Sequence, residues 1–168
     1  MREVCRAGSG YREQVASARL RRRSAPAFIE NVTATLIESP DEHHWVLLDH
    51  QVTQLVVEVG SFRLQTWALD ASAEIRCASL FTLRQASGAE RVIDPAETET
   101  LAPVLSLLRR RLESITITRG GDLTAEFSGG LGLAIGGRRR TPAWEVQGGG
   151  ALEGMSYSGS LPSAAERG

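Results

Sequence analysis

Apolar residues settle into a regular rhythm at Trp45, and from there much of the chain alternates with a period of two. That rhythm marks β-strands with one buried face. Leu55, Val57 and Val59 define one face, and Phe62, Leu64 and Thr66 the next. Setting Val59 opposite Phe62 leaves the two-residue loop Gly60-Ser61, with glycine where a type II′ turn needs positive φ. A third strand is expected from Glu74 to Leu83, pointing Ile75, Cys77, Phe81 and Leu83 one way. Pairing Thr66 with Cys77 and Ala68 with Ile75 closes it through the four-residue loop Asp70-Ala71-Ser72-Ala73. Gln85 to Glu90 reads as a turn around Gly88, followed by a short strand at Arg91-Val92-Ile93. Ile115, Ile117, Leu123, Ala125, Phe127, Leu131, Leu133 and Ile135 are all odd-numbered, so a shared face demands loops of odd length. Gly120-Gly121-Asp122 and Ser128-Gly129-Gly130 supply such loops. Trp144 to Gln147 and Met155 to Ser158 predict two more short strands, separated by a flexible Gly148-Gly149-Gly150.

One segment breaks the period-two pattern. Leu101, Val104, Leu105, Leu108 and Leu112 form a single stripe at helical spacing. Starting that helix at Thr100 as N-cap puts Pro103 in the first turn, where its missing N–H costs nothing. Asp94-Pro95-Ala96-Glu97 is then a preceding turn, and the helix is expected over about 100–111. Ser39-Pro40-Asp41-Glu42 is a turn as well. Ile29 to Ile37 stays open between strand and helix, because Val32, Thr33, Thr35 and Ile37 favour one and Ala34 and Leu36 permit the other. The expected fold is α+β: a mostly antiparallel, twisted sheet of six to eight strands with the helix on one face. Its bounds are about 29–160, after a basic arm at 1–27 with no stable apolar period and before a frayed tail at 161–168.

Charge sharpens this division. The chain has 168 residues and a net charge of −1, and all 19 of its basic residues are arginine. Residues 1–24 hold seven arginines against two acids, whereas residues 25–168 hold twelve against eighteen. The domain is therefore acidic and the arm basic. Arginine without lysine is most simply the mark of a GC-rich coding sequence, and the arm fits an upstream over-extension of the reading frame. Cys5 and Cys77 lack metal or redox spacing and read as free thiols. No run approaches the roughly 20 apolar residues that span a bilayer, so no membrane association and a cytoplasmic location are expected.

The candidate chemistry is sparse. His43, His44 and His50, with Asp41, Glu42 and Asp49 nearby, are the one group suited to a metal. Adjacent histidines on a strand point to opposite faces, and a solvated turn accounts for all three. No metal or other cofactor is expected. Gly130-Leu131-Gly132 followed by Gly136 has the wrong spacing for a dinucleotide fingerprint and no helix after it. Arg109-Arg110-Arg111 suits the negative end of the helix, while Arg138-Arg139-Arg140 makes an exposed loop. No GxSxG elbow is present, and Glu58, Glu126 and Glu145 occupy outward strand positions. Trp67 stands out because it shares the outward face of Arg63 and Gln65.

From Trp45 to about Gly150 the chain resembles a domain-of-unknown-function family of small bacterial proteins, frequent in actinobacteria. The resemblance rests on Trp45-Val46-Leu47-Leu48, Val52-Thr53-Gln54, Phe81, Ile93-Asp94-Pro95 and Leu101-Ala102-Pro103-Val104-Leu105, then on Gly121 to Phe127 and Ala143-Trp144-Glu145-Val146. It implies a compact antiparallel fold with one helix and brings no catalytic residues. The chain departs from the family pattern at Ser128-Gly129-Gly130, where members usually carry Asp-Gly, and it lacks their closing Trp.

The resulting expectation is a small non-enzymatic module that binds another protein, as immunity proteins of bacterial toxin systems do, with a homodimer also compatible. Its interaction surface is expected among Arg63, Gln65, Trp67, Arg138, Arg139, Arg140, Trp144 and Glu145. Two other readings compete. One is a metal- or ligand-binding hydrolytic domain using the His43/His44/His50 region. The other is a nucleic-acid-associated protein acting through the arginine arm, which the acidic remainder disfavours.

Overall fold

The computed structural model describes residues 33–137 and 143–159. The arm at 1–27, the tail at 161–168 and the triplet Arg138-Arg139-Arg140 lie outside the described residues.

Among the described residues eleven strands form one antiparallel sheet, rather than six to eight. In chain order they are β1 (Ala34–Glu38), β2 (Glu42–Glu58), β3 (Ser61–Trp67), β4 (Ala71–Cys77), β5 (Phe81–Arg84) and β6 (Glu90–Ile93). After a helical segment come β7 (Arg111–Thr118), β8 (Leu123–Phe127), β9 (Leu131–Ile135), β10 (Trp144–Gly150) and β11 (Ser156–Ser158). The sheet runs β11-β10-β4-β3-β2-β7-β8-β9-β5-β6, with β1 added beside the first part of β2. The ambiguous segment before Ile37 is thus a strand where it is described, and the Ser39 hydroxyl accepts the Glu42 N–H at 3.0 Å to fix the turn behind it.

Strand β2 is the spine. Its first part lies between β1 and β7, and its second part pairs with β3. The switch occurs at an irregularity between Val46 and His50, where Asp49 sits at φ 59. Aspartate tolerates this left-handed conformation better than most residues, and the bulge bends the strand. On either side of the spine the sheet forms two wings, β3-β4-β10-β11 and β7-β8-β9-β5-β6, whose inner faces meet. Phe62 of β3 stacks on Phe81 of β5 with ring centroids 5.9 Å apart, and one apolar cluster draws on both wings.

The expected third strand from Glu74 to Leu83 is two strands in different wings. The chain leaves β4 at Cys77, crosses through Ala78-Ser79-Leu80, and re-enters the sheet as β5 between β9 and β6. Alternation continues across the break, so parity alone does not reveal the change of partner. The hairpin registers differ in a related way. Val57, not Val59, faces Phe62, and Ala73, not Cys77, faces Thr66. Positive φ falls on Gly60 as the second residue of a Val59-Gly60 loop, so the II′ turn is not formed. The β7–β8 hairpin likewise pairs Ile117 with Leu123, two residues from the three-residue loop expected at 120–122. Each of these three slips is an even number, so the faces read beside these turns are kept. The bulge between Val52 and Gln54, by contrast, shifts the β2–β3 register by one and switches the parity of the inner face within β2. Phe127 opposite Leu131 across Ser128-Gly129-Gly130 matches the expectation, with Gly129 and Gly130 both at positive φ.

The helix is a 3-10 helix over Thr98–Leu107, shorter than 100–111. Its N-cap is Glu97, while Thr100 sits inside and its hydroxyl bonds back to the Asp94 carbonyl at 2.8 Å. Leu101, Val104 and Leu107 are the buried positions, a spacing of three that suits three residues per turn. Leu105 and Leu108 are exposed, and Leu112 belongs to the core side of β7. Arg109 adopts φ 63 beyond the helix and Arg111 starts β7, so the arginine triplet forms a connection instead of closing the last turn.

The glycine run is also strand. Gly148, Gly149 and Gly150 pair with Ala73, Ser72 and Ala71, and a Cβ at Gly150 would overlap the Asp70 carbonyl oxygen. Among the described residues no helix is long and apolar enough to cross a membrane.

Candidate functional site

The three histidines lie in β2, not in a solvated turn. His43 is buried, its Nδ1 3.1 Å from the Tyr157 hydroxyl and its Nε2 3.6 Å from Glu38. His44 points the other way and meets Thr116 Oγ1 at 2.8 Å, as neighbouring strand residues must. His50 is fully buried, with Nδ1 3.4 Å from Thr66 Oγ1. The Thr66 hydroxyl donates to the Ala73 carbonyl at 3.2 Å, which leaves its oxygen to accept from His50. Nδ1 then carries the proton, and Nε2 is a buried lone pair with no partner among the described residues. Burial lowers the His50 pKa, with Asp70 opposing part of the effect. Each histidine has its own partners, and no group of three His, Cys, Asp or Glu suited to a metal forms among the described residues.

The carboxylates behave similarly. Glu58 meets Arg63 at 2.6 Å, Glu145 meets Arg76 at 3.6 Å, and Glu126 pairs with Arg84 beside Gly132. Neutralised by neighbouring guanidinium groups, these three carboxylates provide no acid–base pair in a cleft. The Cys77 thiol is free and fully buried, and burial pushes its pKa far upward, so it is no nucleophile.

The outer face of β3-β4-β10 does assemble a surface. Register places Arg63, Arg76 and Glu145 in one row, Gln65, Glu74 and Gln147 in the next, and Trp67, Ser72 and Gly149 in a third. Even-numbered slips preserved the outward positions, so Arg63, Gln65 and Trp67 share a face as expected. Glu145 joins them through Arg76. Trp144 does not: it is buried, and its indole N–H donates to the Gly121 carbonyl at 2.7 Å, tying β10 to the β7–β8 loop. An odd number of steps from Glu145 puts Trp144 on the inner face.

Trp67 is 59% exposed, and its neighbour Leu69 is exposed as well. Trp67 lines a shallow cleft of about 220 Å3 together with Gln65, Ser72, Glu74, Gln147 and Gly149. A Cβ on Gly149 would come within 2.8 Å of Ser72 Oγ, so glycine leaves that side of the cleft clear. Sequence reasoning missed Ser72, Glu74, Gln147 and Gly149. Glu74 and Arg76 alternate visibly along their strand, but the register that brings Gln147 and Gly149 alongside is a pairing of residues about seventy positions apart. A second cleft, of about 350 Å3, lies between β6 and the 3-10 helix, lined by Arg91, Val92, Glu99 and Pro103, and has no aromatic wall.

A family model described as "Family of unknown function (DUF6188)" matches residues 45–159, from within β2 to the end of β11. No curated protein matches the chain, and no solved structure does.

Proposed function

Since the chain belongs to a family of unknown function (DUF6188), which has no activity to transfer, we propose its role from its own surface. It is a small non-enzymatic module that binds another protein on the outer face of β3-β4-β10. The exposure of Trp67 beside an open cleft carries this reading. A large indole left in water forgoes about 2–3 kcal/mol of burial that an inward position would have gained. Tryptophan next to a pocket is also the residue type that most often dominates protein interfaces. Arg63, Gln65, Arg76 and Glu145 supply the polar surround. An immunity-like role, in which the module neutralises a toxic partner, is the specific form we favour. The hydrolytic reading lacks support from the histidines, each bonded separately within the sheet.

Affinity capture from the native host tests the proposal, using the full chain as wild type and as Trp67→Ala. The wild type should recover a stoichiometric protein partner. Trp67→Ala should bind it at least about ten-fold more weakly while its thermal midpoint stays unchanged. Recovery of no partner, or equal recovery by the variant, refutes the reading.

A further inference from the structure

We propose that the cleft beside Trp67 is a subsite for one cationic side chain of the partner, with the planar guanidinium of arginine the best fit; this rests on the docking reading above. Three observations converge on it. First, Glu74 is the only charged residue in the cleft lining. Its Oε2 takes the Gln65 amide at 2.7 Å and faces Arg63 at 3.7 Å. Its Oε1 has no donor among the described residues, so one carboxylate oxygen is left for an incoming group. Second, the exposed indole of Trp67 lines the same cleft one register row away, and an aromatic face attracts a cation, most strongly when water is displaced. Third, the described residues together carry the complementary sign. Among the described residues eight arginines stand against sixteen aspartates and glutamates, so a basic partner is drawn toward the domain before contact.

Size fits the same occupant. About 220 Å3 admits a single extended side chain and falls below the roughly 300 Å3 at which ligand pockets usually begin. Arginine can lay its guanidinium along the indole while donating in its own plane to Glu74 Oε1, a combination that a point-like ammonium meets less well. Gly149 contributes no side chain to the cleft.

The test uses the full 15N-labelled chain and two probes, the peptide acetyl-Gly-Arg-Gly-amide and its citrulline counterpart, which has nearly the same shape without the charge. The indole N–H signal of Trp67, assigned by its loss in Trp67→Phe, is followed during titration. The arginine peptide should move it saturably, and the citrulline peptide should bind about ten-fold more weakly. Glu74→Gln, of nearly equal volume, should weaken the arginine peptide by a similar factor, and added salt should weaken it further. Equal shifts from both peptides, no shift from either, or full binding by Glu74→Gln would overturn the subsite. If that happened while Trp67→Ala still lost the captured partner, the docking face would stand and only its cationic chemistry would fall.

Discussion

His50 is the residue whose environment most clearly sets a measurable property. Its ring is fully buried, and burial holds its pKa below the ordinary 6.5. The unfolded chain therefore takes up a proton at a higher pH than the folded one. Stability is complete above about pH 6.5 and falls as the pH drops through the interval below it, until the folded histidine also titrates. Urea midpoints measured from pH 8 downward should show this decline in the wild type and a shallower one in His50→Gln. Identical pH profiles for the two proteins would refute the assignment. None of this is visible in the chain's local pattern, where His50 directly follows Asp49 and reads with His43 and His44 as part of a solvated turn. Its hydrogen-bond partner Thr66 lies on the neighbouring strand β3, which only strand pairing brings alongside.

At the scale of one element, the 3-10 helix shows how far periodicity reaches. The leucine and valine spacing reports a helix correctly, but Leu101 and Val104 suit both 3.6 and three residues per turn, and the two periods part only at Leu105, Leu107 and Leu108. The observed choice buries Leu107, at 0% exposure, and leaves Leu105 at 61%. Leu107→Ala should therefore cost about 2–5 kcal/mol, by lost burial and the cavity left behind. Leu105→Ala should change stability by no more than about 0.5 kcal/mol. Chemical denaturation of the two variants separates the geometries, since an α-helical stripe would rank them the other way. Beyond the helix Arg109 takes a left-handed turn, and its N–H reaches the Val52 carbonyl at 2.9 Å just before β7 begins.

Across the whole molecule, the two wings of the sheet share one core. Phe62 and Phe81 join them by stacking, and the Trp144 indole fastens β10 to the opposite wing through Gly121. Neither wing has a separate apolar cluster to sustain it. Unfolding should therefore be a single transition, with tryptophan fluorescence and far-ultraviolet circular dichroism reporting the same midpoint. Phe62→Ala should lower that midpoint for both probes together, at a cost of about 3–5 kcal/mol. A midpoint that shifted in one probe alone would mean that the wings fold independently. The docking face depends on this arrangement too, because its rows are assembled from β3, β4 and β10.

The sequence by itself determined the face that most strand residues take, where most turns fall, and that Arg63, Gln65 and Trp67 look outward together, whereas Trp144, expected on the surface beside Glu145, is buried. Period-two alternation encodes face directly, and a turn announces itself through glycine or proline. Pairing was decided only by the tertiary structure. A slip of two or four residues leaves every face unchanged, so Val57 or Val59 opposite Phe62 reads alike along the chain. The separation of β4 from β5 is hidden for the same reason, because Phe81 keeps the parity of Cys77 while joining the other wing. What turns a row of outward residues into a cleft is the arrival of Gln147 and Gly149 beside Glu74 and Ser72. That contact is a long-range hydrogen-bond ladder, selected by how the whole core closes, and no local pattern carries it.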